Sequence, residues 1–291
     1  MFEGFSRHQI TANGVEVAVW MGGDGAPLLL LHGYPQTHAM WHRVAPGLAD
    51  RFTLVCPDLR GYGDSEKPVG DAQHLTYSKR TMAADMAALM TALGYETFAV
   101  AGHDRGARVT HRLCLDHADR VTRAAVLDIV PTHTMFTRFQ SAIAMSYYHW
   151  TFLAQPTPLP ERLIGSDPDF YLDWKLGAWG TGLDAFAPEA LAEYRRAFRD
   201  PACIHATCED YRAAATIDLV HDEADLTARV RCPLLVLWGG RGVMEKTYDV
   251  LETWREKATD VTGQTVDAGH FLAEERPAET LAALRGFFLN G

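Results

Sequence analysis

The residues best suited to chemistry are Gly102-His103-Asp104-Arg105-Gly106, which follow the apolar run Phe98 to Ala101 and precede Arg108 to Leu115. The run reads as a short buried strand and the later stretch as a helix, so the five residues between them must form a tight strand-to-helix turn. Two glycines, each two positions from a central residue, are the pattern of a nucleophile elbow, where larger side chains would strike the neighbouring strand and helix. The exposed residue at such an elbow is commonly serine; here it is Asp104. A carboxylate attacks acyl carbon poorly. Its useful target is a saturated carbon bearing a leaving group, and the product is an alkyl ester that water must then split. That second step calls for a general base and an oxyanion site elsewhere in the chain.

Arg105 and Arg108 stand three apart in the first turn of the helix after the elbow, so they share a face. The positive end of the helix dipole disfavours cations there by a few tenths to about 1 kcal/mol each. Two readings account for them: a bound anion, or pairing of Arg105 with Asp104 and of Arg108 with a surface carboxylate.

The bulk of the chain limits the remaining possibilities. Its 291 residues are 47% hydrophobic, enough for one large domain or two modest ones. No apolar run approaches the roughly 18 residues of a membrane span, and Met1-Phe2-Glu3-Gly4 has no leader-like pattern. The net charge of −10, without a basic run, argues against a nucleic-acid partner. Cys56, Cys114, Cys203, Cys208 and Cys232 are odd in number and lack metal-ligand spacing, so they read as reduced thiols of a cytoplasmic protein. Neither a metal nor an organic cofactor is implied.

These residues need elements to position them. Gln9 to Met21 reads as a hairpin turning at Ala12-Asn13-Gly14, and Pro27 to Leu31 as a buried strand ending in His32-Gly33-Tyr34-Pro35. A helix around Met40 to Leu48, a strand from Phe52 to Cys56 and the loop Asp58 to Ser65 follow. Met82, Met86, Leu89, Met90 and Leu93 form one stripe of a helix stopped by Gly94. Beyond the elbow, Ala124 to Val130 is a further strand, with Asp128 near its end. The alternation of strand and helix then fails until Pro233 to Leu237, far longer than an ordinary connection. The interval holds Tyr147, Tyr148, His149, Trp150, Tyr171, Trp179 and Tyr211 and reads as a helical insertion over the site. A helix at Tyr248 to Glu256, a strand at Thr262 to Val266 and a closing helix at Pro277 to Leu289 complete the pattern. The fold class is α/β, a mostly parallel sheet flanked by helices. The core comprises residues 1–131 and 226–291, and the cap residues 132–225.

His32-Gly33-Tyr34-Pro35, the loop Asp58 to Ser65, the elbow and Ala268-Gly269-His270-Phe271, in that order, resemble the α/β-hydrolase family over nearly the whole chain. An aspartate in the elbow narrows the likeness to its haloalkane dehalogenase and epoxide hydrolase branch. The string Gly102 to Arg108, with His149-Trp150 in the cap, is similar to the fluoroacetate (haloacetate) dehalogenases. The resemblance implies that His270 is the base. It allows the orienting acid two addresses, and Trp238 to Met244 offers no carboxylate, which leaves Asp128. It also implies that Arg105 and Arg108 hold a substrate carboxylate and that His149, Trp150 and Tyr211 receive the halide. The backbone N–H groups of Tyr34 and Arg105 would form the oxyanion site, and a homodimer is the implied assembly. Under this reading the partner is a small haloacid.

Other functions remain open. Epoxide hydrolases would use the same Asp104, His270 and Asp128 with cap tyrosines, for which Tyr147, Tyr148 and Tyr211 are available. Neither a neutral epoxide nor a haloalkane has a use for two arginines beside the nucleophile. A non-catalytic receptor of the same fold would have no need of a histidine base.

Overall fold

The computed structural model describes residues 1–289. An antiparallel hairpin, β1 (Ser6–Ala12) and β2 (Val15–Gly22), turns through Asn13 and Gly14, both at positive φ. There follow β3 (Ala26–Leu31), β4 (Phe52–Pro57), α1 (Lys79–Ala92), β5 (Phe98–His103), α2 (Arg105–Asp116) and β6 (Val121–Leu127). Eight α-helices come next, with a 3-10 turn at Leu183–Ala185 between the fifth and sixth: α3 (Thr132–Thr137), α4 (Ser141–Ser146), α5 (His149–Phe152), α6 (Leu159–Gly165), α7 (Pro168–Trp179), α8 (Pro188–Phe198), α9 (Pro201–Ala215) and α10 (Ile217–Ala224). The chain returns to the sheet with β7 (Leu234–Gly239), α11 (Val243–Thr247), α12 (Val250–Arg255), β8 (Val261–Val266), α13 (Leu272–Glu275) and α14 (Pro277–Leu289). The eight strands are ordered β1-β2-β4-β3-β5-β6-β7-β8 and are parallel from β4 to β8.

The central strands carry side chains that suit burial on both faces. Leu28 to Leu31, Val100, Ala101 and Val236 are fully buried, as parallel strands between two helical layers require. The apolar stripe of α1 packs inward through Met82, Met86, Leu89 and Met90, and Gly94 turns the chain at φ +84°. All the parallel strands run the same way, so the loops after β3, β5, β6, β7 and β8 emerge on one edge. There they bring Tyr34, Asp104, Asp128, Gly239 and His270 together.

Two local expectations change. The helix expected over Met40 to Leu48 is a pair of short 3-10 turns, His38–Trp41 and Ala45–Gly47, because Pro46 and Gly47 interrupt any longer helix. The strand expected to run to Val130 ends at Leu127, so Asp128 lies just beyond β6, at φ +54°. The helix after the elbow starts at Arg105, directly behind Asp104, with Arg105 and Arg108 in its first turn as the sequence indicated. Among the described residues, no helix is long and apolar enough to cross a membrane.

Candidate active site

Asp104 sits at φ +46°, ψ −113°, a conformation that L-residues rarely adopt and that persists only where the surroundings enforce it. The enforcement is steric. A Cβ at Gly102 would come 2.4 Å from the Gly106 carbonyl, and one at Gly106 would come 2.3 Å from the His32 carbonyl. Only glycine lets strand and helix approach so closely. The Asp104 carboxylate is buried, and its Oδ2 accepts the Tyr34 backbone N–H at 3.0 Å. That bond occupies Oδ2 and leaves Oδ1 without a hydrogen bond to the protein, an arrangement in which Oδ1 could act as a nucleophile and the Tyr34 N–H could stabilise charge on Oδ2.

His270 and Asp128 meet as the family likeness implied. His270 donates Nδ1–H to Asp128 Oδ2 at 2.6 Å, and Asp128 Oδ1 accepts the Gly239 backbone N–H at 2.9 Å. Nε2 of His270 is buried with no protein partner, the state required of a base waiting for water. Burial alone would lower the His270 pKa, but its bond to Asp128 and the charges of Asp128 and Asp104 raise it above the ordinary 6.5. Burial also raises Asp128, against the pull of His270. The loop carrying His270 is clamped on both sides. Glu275 accepts the N–H groups of Gly269 at 2.8 Å and Phe271 at 2.9 Å, and the His270 N–H donates to the Trp179 carbonyl at 2.9 Å.

Arg105 does not pair with Asp104. Its guanidinium forks onto Asp210 of α9, with Nε to Oδ2 at 2.9 Å and Nη2 to Oδ1 at 2.6 Å, and both side chains are completely buried. Lys79 also pairs with Asp210, and the Tyr62 hydroxyl donates to it at 2.8 Å. Burial would raise the Asp210 pKa, but the charges of Arg105 and Lys79 hold it well below the usual carboxylate range. Nη1 of Arg105 keeps no partner. Arg108 spends Nη1 on the Val130 carbonyl and the Thr132 hydroxyl, both at 3.0 Å, and its Nε is unpartnered. Burial and then the Arg105 charge lower the Arg108 pKa to about 10, so it remains charged at neutral pH.

The inserted helices close the site. The Trp150 ring lies 4.5 Å from the Arg108 guanidinium and 5.3 Å from that of Arg105, and Tyr211 lies 4.3 Å from Arg105. His149 stands 5.3 Å from Tyr211, ring to ring, and 4.3 Å from Trp179. The Tyr211 hydroxyl and His149 Nδ1 are buried without partners. Burial, then the charges of Lys175 and His270, lower the His149 pKa well below its ordinary value, so the imidazole is neutral. Tyr147 reaches the triad from the same side, its hydroxyl 3.4 Å from His270 Nδ1.

The expected site residues are thus linked in one buried group: Tyr34 bonds Asp104, His270 bonds Asp128, Trp150 and Tyr211 pack on the two arginines, and His149 packs on Tyr211. Sequence reading missed Asp210 and His103. Asp210 lies next to Tyr211, but nothing in local spacing marks it as the counter-ion of an arginine 105 residues earlier. His103 Nε2 donates to the His270 carbonyl at 2.8 Å; burial and then His270 lower its pKa to about 3, so it is a neutral strut. Among the described residues, no three His, Cys, Asp or Glu side chains are grouped to hold a metal. A surface groove of about 600 Å³ at the β8 edge, beside Thr262, Gln264 and Phe287, lies apart from this closed centre.

Comparison with known proteins agrees with the geometry. Residues 26–277 match the family defined by the α/β hydrolase fold. The chain is 48% identical over 288 residues to a fluoroacetate dehalogenase from Burkholderia sp, covering 99% of this chain and 95% of the relative. It is 34% identical to a soluble epoxide hydrolase from Corynebacterium sp. (strain C12), with 97% of each covered. Among solved structures, ALR0039 of Nostoc sp PCC 7120, provisionally placed among the α/β hydrolases, superimposes with a TM-score of 0.99 at 55% identity over the full length of both chains.

Proposed function

The chain belongs to the α/β-hydrolase fold family, and from that premise we propose that it is a carbon–halide hydrolase that converts haloacetates, fluoroacetate among them, to glycolate and halide. The observation that carries this reading is the group of buried polar atoms without protein partners in the site: Arg105 Nη1, Arg108 Nε, His149 Nδ1 and the Tyr211 hydroxyl. Buried donors left open are costly unless a ligand completes them, and a pocket of cations and N–H or O–H donors suits a small anion. The relative named for fluoroacetate supports the same substrate class.

In this reading Arg105 and Arg108 hold the substrate carboxylate. Oδ1 of Asp104 attacks the α-carbon in line with the halogen; the carbon–oxygen bond forms as the carbon–halogen bond breaks, and the electron pair leaves with the halide. His149, Trp150 and Tyr211 receive it, as ring N–H, indole N–H and phenol O–H are all donors. His270 Nε2 then takes a proton from water, and the hydroxide adds to Cγ of the Asp104 ester. Charge on Oδ2 rests on the backbone N–H groups of Tyr34 and Arg105, each such donor contributing on the order of 3 kcal/mol. Collapse breaks the Cγ–Oδ1 bond. Glycolate leaves with Oδ1 and a proton from His270, and the remaining water proton departs as the carboxylate re-forms. Residues 132–225 serve as the cap and residues 1–131 and 226–291 as the core, in a homodimeric cytoplasmic protein.

Epoxide opening is the second reading, favoured by the Corynebacterium relative and by the two buried phenols, Tyr147 and Tyr211. One experiment separates the two: measure halide and glycolate release from fluoro-, chloro- and bromoacetate beside styrene oxide and 1-bromobutane. Turnover of the acids alone is expected. Turnover of a neutral substrate with none of the acids would overturn the haloacid reading.

A further inference from the structure

Lys175 of α7 is a charged side chain that the reaction above leaves unused. It is 1% exposed, and its ammonium has no hydrogen-bond partner; among the described residues no carboxylate pairs with it. Three aromatic faces surround it instead: Tyr148 with its centroid 3.5 Å from Nζ, Trp179 at 5.1 Å and Tyr171 at 5.4 Å. Cation–π contact compensates a buried ammonium only in part, and leucine or methionine would fill the same space without that cost. The cage adjoins the halide side of the site. Tyr148 precedes His149 in the chain, and the Trp179 ring that faces Nζ stands 4.3 Å from the His149 ring.

We propose that Lys175 is a positioning residue for the halide pocket, a caged cation behind His149 that fixes the His149–Trp179 pair and keeps positive potential where the leaving halide gathers. This inference rests on the reading of His149, Trp150 and Tyr211 as the halide donors. The His149 pKa is lowered well below its ordinary value, by burial first and then by Lys175, so positive charge on that side of the pocket comes from the protonated form of the lysine rather than from the imidazole. Burial lowers the Lys175 pKa to about 7, and a halide arriving beyond His149 favours the protonated form. The titratable groups facing it are Tyr148 and His149 across from α7, and Tyr171 on α7 itself.

The test is Lys175→Met, close in volume and neutral, beside Lys175→Arg. Lys175→Met should weaken inhibition by chloride and bromide about tenfold. It should lower kcat for fluoroacetate several-fold more than for bromoacetate, because fluoride depends most on a stabilised exit, and leave KM within about twofold. Lys175→Arg should keep the halide inhibition within about threefold of wild type. Tyr148→Leu, which removes one exposed-side wall of the cage, should shift halide inhibition in the same direction as Lys175→Met and decides the matter if that variant does not fold. Wild-type inhibition constants and an unchanged fluoride-to-bromide ratio in folded Lys175→Met, or in Tyr148→Leu, would overturn the inference. If the wild-type protein turns over no haloacetate, it is the reaction reading that fails; halide binding followed by tryptophan fluorescence in the same variants still decides for or against Lys175.

Discussion

At the scale of single residues, the chemistry divides between an oxygen held in place and a nitrogen left free. The Tyr34 N–H fixes Oδ2 of Asp104, and Asp128 fixes Nδ1 of His270, so Oδ1 and Nε2 are the two atoms available to react. On the proposed reading, substituting His270→Asn removes the base but leaves the nucleophile Asp104. The variant should release one halide per active site and then stall as an ester of Asp104, visible by intact-protein mass spectrometry as one added carboxymethyl group. Steady turnover by this variant would assign the base elsewhere. The pH dependence follows from the same pair. A raised His270 pKa means that the proton disabling the base is bound at a higher pH than for an ordinary imidazole. Ester hydrolysis should therefore fall away as pH decreases through a value above 6.5, and Asp128→Asn, which removes a cause of that rise, should move the acid limb downward. A pre-steady-state pH profile of the two proteins reads both shifts; a limb that stays in place would contradict the assigned cause.

At the scale of elements, the elbow and its helix need an anchor outside themselves. Arg105 lies at the dipole's positive end with no carboxylate on its own turn, and α9 supplies Asp210 to hold both Arg105 and Lys79. Asp210→Asn would leave two buried cations short of a counter-charge, so a loss of about 3–5 kcal/mol in unfolding free energy is expected. Denaturant unfolding measures it, and a loss under about 1 kcal/mol, the scale of a surface pair, would show that the network contributes little. The sequence made some of this legible. The elbow could be read because steric demand writes glycines at fixed spacing, and Pro277–Leu289 because a proline opens it and an apolar period runs through it. Met40 to Leu48 misled because its apolar residues suit a helix while Pro46 and Gly47 forbid one. Asp210 and Lys175 stayed hidden because a buried ion pair or an aromatic cage is assembled by tertiary packing and leaves no local period.

At the scale of the whole molecule, the inserted helices pack Trp150 and Tyr211 onto Arg105 and Arg108 and also present apolar surface outward. Phe170 and Trp174 of α7 are 64% and 58% exposed, and Leu163 of α6 is open a few residues before them. The homodimer implied by the family likeness would cover such a surface. Sedimentation should return twice the chain mass of 32.3 kDa, and a monomer at micromolar concentration would contradict the assembly. The proposed cycle makes the sharpest demand: in it a carboxylate oxygen, and not water, meets the substrate carbon. A single turnover of fluoroacetate by excess enzyme in water labelled with heavy oxygen tests this directly. The account predicts unlabelled glycolate and one heavy oxygen retained in the peptide containing Asp104; labelled glycolate from that first turnover, with Asp104 unlabelled, would mean that water attacks the carbon itself and that Asp104 is not the nucleophile.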